Sequence, residues 1–302
     1  MQSNIQAAVI GAFVADALAL GVHWVYDPDM IEARYGRVEA MVKPELASFH
    51  KGKEKGAFTH YGDQMLVLLD SVAERSGFDP ADFADRWKTL FADYTGYMDH
   101  ATKDTIANFE QGRPLETVGS SSSDLAGASR IAPLLACYAG QPDKLIAAAR
   151  AQTRMTHNHP QVLACAELFA RTAALTLQGA PPVAALKEAS RAPAIAAQVG
   201  EAVQAGLASK EDDTRRAISK FGQMCDVAAA LPAAIHLIAK YESSFQEALI
   251  ANSMAGGDSA ARGIPVGMIL GSRQGMSAIP EQWLTDMVAY PKIQELVTEL
   301  TA

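Results

Sequence analysis

At 302 residues the chain is long enough to bury a large core, as one big domain or as two ordinary ones. Its 26 Lys and Arg against 34 Asp and Glu give a formal net charge of −8, which argues against a role built on binding a nucleic-acid backbone. Cys137, Cys165 and Cys225 are odd in number and far apart in apolar runs, so neither a disulfide framework nor a thiolate metal cluster is expected, and the chain reads as cytoplasmic.

No basic leader with a cleavage site opens the sequence. The apolar run Ala7 to Leu20 is shorter than the ~20 residues of a membrane span and carries Asp16, so no membrane partner is expected. Residues 3–20 are expected to form a buried helix, in which Ala8, Ala12, Ala15, Ala19 and Gly11 make a ridge of small residues that lets a neighbouring helix approach closely. Apolar residues then recur at three and four along the chain. That spacing predicts helices at 62–75, 80–97, 99–110, 124–138, 142–153, 160–178, 182–189, 194–207, 211–220, 223–240, 243–254 and 258–271. Asp79-Pro80 and Gln141-Pro142 place proline at a first helical position, where its missing N–H costs nothing. Almost no strand is expected, and no internal repeat or Gly/Ser/Pro linker interrupts the series, so a single all-α domain over residues 1–302 is the simplest organisation.

Five polar clusters punctuate these helices. His23-Trp24 follows the first one, and reads either as a core edge or as a titratable group beside an aromatic. Phe58-Thr59-His60-Tyr61-Gly62-Asp63-Gln64 opens a second, where Asp63 is either a simple cap or a reactive carboxylate. Ser120 to Ser123 with Asp124 is either a flexible capped loop or, through Ser122, Ser123 and free N–H groups, an anion site. Thr156-His157-Asn158-His159-Pro160 lies between two helical runs, where both histidines could face a cleft. The fifth, Gly256-Gly257-Asp258-Ser259-Ala260-Ala261-Arg262-Gly263, has the glycines of a tight ligand-approaching loop, but methyl groups and a guanidinium where oxygens would serve a hard cation. Glycine then aspartate at the start of a buried helix occurs twice, as Gly62-Asp63 and Gly257-Asp258. A site built between two helix ends would need this arrangement.

Taken together these segments resemble the ADP-ribosylglycohydrolase family, all-helical enzymes that include the dinitrogenase-reductase-activating glycohydrolase and the J1 crystallins. Gly11-Ala12-Phe13-Val14-Ala15-Asp16-Ala17-Leu18 looks like the family's opening Gly-Ala-x-x-Gly-Asp-Ala-Leu helix, and Tyr61-Gly62-Asp63-Gln64 stands where it has Tyr-Thr-Asp-Asp. Arg130-Ile131-Ala132-Pro133 and Thr156-His157 match two further segments, and Gly256-Gly257-Asp258-Ser259 falls on its Gly-Gly-Asp-Thr-Asp-Thr loop. The resemblance implies a compact orthogonal bundle of about a dozen or more helices. It also implies a pair of Mg²⁺ ions held by the two loops, and here the chain departs: Gly62, Gln64, Ala260 and Ala261 occupy positions where the family has ligands, and His23 stands where an acidic residue is expected.

The expected activity is therefore hydrolysis of an N- or O-glycosidic ribosyl bond, in a small molecule or an ADP-ribosylated substrate, without the Mg²⁺ pair and with no other cofactor. Asp63 and Asp258 would form the carboxylate pair, and would be the ligands of any single remaining cation; His23, His60 or His157 would move a proton. Asp16, His60, Tyr61, Gly62, Gln64, Ser122, Ser123, Asp124, His157, His159, Gly257, Ser259 and Arg262 would contact substrate, Arg262 through an anionic group. The alternative is a non-catalytic ligand-binding or structural descendant that kept the fold. Oligomeric state is left open.

Overall fold

The computed structural model describes residues 2–46 and 48–302 and contains 17 α-helices among them, with isolated β-bridges in place of any sheet. In chain order these are α1 Gln2–Ala19, α2 Pro28–Tyr35, α3 His60–Arg75, α4 Pro80–Ala92, α5 His100–Glu110, α6 Ala126–Ser129, α7 Leu134–Tyr138, α8 Pro142–Thr156 and α9 Pro160–Leu177. They continue with α10 Pro182–Ala189, α11 Pro193–Ala208, α12 Thr214–Phe221, α13 Val227–Lys240, α14 Phe245–Met254, α15 Ser259–Gln274, α16 Glu281–Asp286 and α17 Tyr290–Thr301. The expected all-α architecture is what forms.

At its centre α1 lies against α15. The small-residue ridge explains why: a methyl group added at Gly11 would stand 2.7 Å from the Gly267 carbonyl oxygen, and one at Gly267 would stand 2.2 Å from that of Gly11. Backbone therefore meets backbone, and Ala8, Ala12 and Ala15 fill what space remains. From Ala7 onward every residue of α1 is buried, Asp16 included. By length and hydropathy the segment Gln2–Val22 would qualify as a membrane span, contrary to the sequence-based reading, but 89% of its apolar window is buried inside the protein. Its apolar surface is spent on neighbouring helices.

Elsewhere the structure departs from the expected boundaries for local reasons. The single helix expected over 124–138 is two short ones, because Pro133 lacks an N–H and the chain turns between Arg130 and Pro133. α4 stops at Ala92 rather than continuing to 97, and the released segment carries Tyr94 and Tyr97 towards the start of α3. Asp27 caps α2 through the N–H groups of Asp29 and Met30, the same Asp-Pro opening that begins α4, yet α2 was not expected. α16 and α17 were likewise unforeseen.

Candidate functional site

The Gly-Gly-Asp loop is shaped by its backbone. Gly256 and Gly257 both have φ of 67°, a region other residues enter only with strain, and a side chain at Gly257 would strike the Gln223 carbonyl at 2.4 Å. Gly257 and Val25 form an antiparallel bridge, with N–H···O distances of 2.8 Å from Trp24 to Gly257 and from Gly257 to Val25. This bridge draws the His23-Trp24 segment onto the start of α15. Trp24 itself has φ of 61°, unusual for a large side chain. Asp258 then caps α15, accepting from the Ala261 N–H at 2.9 Å, and is fully buried. Arg262 is tied to this loop: its guanidinium donates to the Gly256 carbonyl at 2.5 Å and to Asn252 Oδ1 at 3.2 Å, leaving Nη1 without a partner. Ser259, also buried, has an unpartnered hydroxyl oxygen.

At the other helix start the phase of α3 decides which side chain faces Asp258. Thr59, not Asp63, is the N-cap. Tyr61 donates from its hydroxyl to Asp258 Oδ2 at 3.3 Å. Two residues on, Asp63 is rotated by about 200° around the helix, and its carboxylate accepts from Tyr94 at 2.5 Å and pairs with Lys53. The expected Asp63–Asp258 pair, whether as catalytic carboxylates or as ligands of one cation, has no direct contact or shared partner among the described residues. Gln64 is also committed, accepting from the Trp87 indole at 2.8 Å and from Arg130. Asp16 accepts from both the backbone N–H and the hydroxyl of Thr59, at 2.8 and 2.6 Å, and so fastens α1 to the start of α3. Gly62 leaves room for it: an added methyl group would lie 2.3 Å from Asp16 Oδ2.

The carboxylate that stands electrically with Asp258 is Asp124. Burial pushes Asp258 up to about 6; the Ala261 N–H and the charge of Arg262 resist, and the negative charge of Asp124 adds to the rise. Asp124 is half-buried and also raised, chiefly by burial and partly by the charge of Asp99. Asp99 goes the other way: against its burial, chiefly the hydrogen bond from His60 at 3.2 Å holds it below the usual carboxylate range. Tyr61 is pushed well above 10 by burial and so remains a hydroxyl donor. His23, fully buried, is pushed well below 6.5 by burial first and then by His50, His60 and Arg262, so its ring is neutral. Its Nδ1 lies 3.6 Å from Asp258 Oδ1 and 3.4 Å from the Ala260 N–H.

The serine segment is held by backbone bridges. Ser122 Oγ accepts from the Asp124 N–H, the Ser123 carbonyl accepts from Val227, and Asp124 pairs with Asp226. These bonds hold the segment against the start of α13. Ser120 likewise bridges to His157, which contacts Thr156 Oγ1 through Nδ1 at 2.9 Å and leaves Nε2 unpartnered; burial and then the Arg130 charge lower its pKa to about 3. His159, half-buried, precedes α9 without capping it.

Several residues of the site have no signature in the sequence. His50 and Asp99 lie outside every polar cluster, in or beside irregular segments, and only the fold brings them to His60. Around them Trp24, Phe49 and Tyr97 form an aromatic rim: Trp24 stacks on His23 with ring centres 4.3 Å apart and meets Phe49 and Tyr97 edge-on at 5.2 and 5.1 Å. Tyr26, 44% exposed, stands on the Asp258 and Asp124 side, with its pKa pushed to about 12 by burial and then by Asp258.

The sequence model of the family described as ADP-ribosylglycohydrolase matches residues 1–302. The chain belongs to the ADP-ribosylglycohydrolase family. Crystallin J1A of Tripedalia cystophora is 26% identical over 299 residues, covering 94% of this chain and 92% of its own, and crystallin J1B of the same animal is 25% identical over 99% and 97%. A solved ADP-ribosylglycohydrolase-related protein complex, 22% identical, superposes with a TM-score of 0.73 over 99% of this chain and 97% of that one, which places the fold. The Mg²⁺ pair that the family implies does not fit the residues present. Mg²⁺ requires near-octahedral oxygen ligation, whereas at the two loops Asp63 is turned to Lys53, Gln64 to Trp87 and Arg130, Ala260 and Ala261 offer methyl groups, and Arg262 lies buried beside Asp258.

Proposed function

We propose that this family member hydrolyses an N- or O-glycosidic ribosyl bond, in a small molecule or an ADP-ribosylated substrate, without a Mg²⁺ pair, and that it acts in the cytoplasm. One observation carries the reading: Asp258 is fully buried, held between Tyr61 and His23, and raised to about 6 with Asp124 nearby. Carboxyl groups pushed up by their surroundings are the usual acids and bases of glycosidic cleavage. Asp258, protonated in part near neutrality, gives its proton to the departing oxygen or nitrogen as the bond to the anomeric carbon breaks. Asp124 steadies the positive charge that develops there, then takes a proton from the water that adds to that carbon. His23, neutral by burial, positions Asp258 rather than supplying the proton, a reversal of the role expected from sequence. The aromatic rim supplies flat apolar faces for the planar part of a substrate.

A second reading has its own support. His23, Tyr61, Asp258 and Arg262 have no solvent exposure, and two similar proteins are named crystallins, which suits a non-catalytic ligand-binding or structural descendant. The test is turnover of ADP-ribosylated protein, O-acetyl-ADP-ribose and simple nucleosides by wild type and by Asp258→Asn. Turnover by wild type that Asp258→Asn abolishes supports the hydrolase; none by wild type on any of them leaves the non-catalytic reading standing.

A further inference from the structure

Next to Asp258 three imidazoles converge: one ring nitrogen each from His23, His50 and His60 lies within 4.8 Å of those of the other two. All three side chains are buried, with exposures of 0, 2 and 0%. His23 and His50 stack with centres 5.2 Å apart, and His50 and His60 at 5.7 Å. What sets the group apart from a packed aromatic cluster is its unused polar atoms. His23 Nε2, His60 Nδ1 and both nitrogens of His50 have no hydrogen-bond partner. A buried polar group left unpaired costs about 1–3 kcal/mol, and here the unpaired atoms belong to one small cluster. Of the nitrogens that do have neighbours, His60 Nε2 is 3.2 Å from Asp99 Oδ2, whereas His23 Nδ1 accepts from the Ala260 N–H at 3.4 Å and lies 3.6 Å from Asp258 Oδ1.

We propose that His23, His50 and His60 bind one first-row transition-metal dication such as Zn²⁺, with Asp258 and Asp99 behind two of the ligands. A metal-bound histidine ordinarily presents its other ring N–H to a carboxylate, which fixes the ring and raises its basicity; His60 is already placed in this way on Asp99, and His23 would exchange its Ala260 contact for one to Asp258. Imidazole nitrogens suit Zn²⁺, and equally Cu²⁺, Ni²⁺ or Fe²⁺, where oxygens suit Mg²⁺. Three protein ligands also leave a coordination position free, the pattern of catalytic rather than structural zinc. Zn–N bonds of about 2.0–2.1 Å require the rings to draw together from the present spacing. The charges of Asp99 and Asp258 favour a dication, and Arg262 and Lys53, which act on His23 and His50, oppose it. The chain has thus exchanged an oxygen-lined site for a nitrogen-lined one beside the same aspartate.

Binding is measured on the full chain without reference to turnover, so this proposal and the hydrolase reading fail separately. After chelator treatment and dialysis, calorimetric titration of wild type with Zn²⁺ should show one ion per chain, and titration with Mg²⁺ no comparable binding. Co²⁺ in place of Zn²⁺ should give the intense visible bands of a four- or five-coordinate ion. His50→Ala and His50→Gln should weaken Zn²⁺ binding on the order of 100-fold, Asp99→Asn by about 10–100-fold, and His100→Ala, an exposed histidine at the start of α5, should change nothing. Absence of stoichiometric Zn²⁺ uptake overturns the proposal. So does uptake that both His50 variants leave intact, or a weak six-coordinate Co²⁺ spectrum, which is read on wild type even if the variants do not fold.

Discussion

The starts of α3 and α15 carry the same device, glycine followed by aspartate, and the fold puts them to opposite uses. At α15 the aspartate is the cap itself: it is tied to the backbone, fully buried, and raised to about 6. At α3 the aspartate is the fourth residue of the helix, part-buried against Lys53 and Tyr94, while the cap is Thr59 and the residue facing Asp258 is Tyr61. A difference of four positions relative to the cap separates a group strained by burial from one satisfied by an ion pair. The same residue pair in two places therefore does not make a two-sided site; helical phase has to be counted from the true cap.

The comparison is most easily broken at its two aspartates. Asp258→Asn should lower kcat by about 10²–10⁴-fold, the range for loss of a general acid or base, whereas Asp63→Asn should leave it within about tenfold; equal losses in steady-state kinetics would restore the paired-carboxylate reading. For wild type, kcat/KM should fall about tenfold per pH unit once pH rises through about 6, because Asp258 must carry a proton to act as the acid. A rate profile flat across that pH removes Asp258 from the role.

The glycines sharpen the contrast further. Gly62→Ala should destabilise the fold by about 1–3 kcal/mol through overpacking against Asp16, and Gly257→Ala by about 1–3 kcal/mol through backbone strain; chemical denaturation of each variant measures this. A further contrast, visible only in acid, concerns the flank of the site. His157, neutral and buried against Arg130, Asp99, His60 and His159, has a folded pKa of about 3, below its ordinary 6.5. Its contribution is complete above 6.5 and is lost as pH falls towards 3, so His157→Asn should flatten the acid side of the stability curve by about 1.4 kcal/mol per pH unit. Denaturant midpoints across that range provide the check.

Most of the helical framework is legible in the sequence because alanine-rich runs at helical spacing, and prolines at first helical positions, encode it locally. α2 escapes although Asp27-Pro28 announces it, since only Ile31 of its residues is buried and the apolar rhythm is faint. The break at Pro133 is legible in retrospect, as proline ends a helix wherever its neighbours cannot absorb the lost bond. Of the site, Asp258, His23, Tyr61, Asp124 and His60 can be named from sequence, because they sit in motifs. Their roles cannot, since those depend on which way each helix turns. His50 and Asp99 lie beyond that reach: no local pattern marks them, and contacts spanning 27 and 39 positions bring them to His23 and His60.

Trp24 gives the protein an optical handle. The chain has three tryptophans; Trp87 and Trp283 are sealed inside, with exposures of 0 and 1%, and Trp24 alone is partly open to solvent. A collisional quencher such as iodide therefore reaches one indole only. That indole is stacked on His23 and borders His50, so its emission reports on the filling of the histidine cluster and on a ring sliding over the rim. An unlabelled sample in a fluorimeter can follow both events, with the two sealed indoles as a constant background.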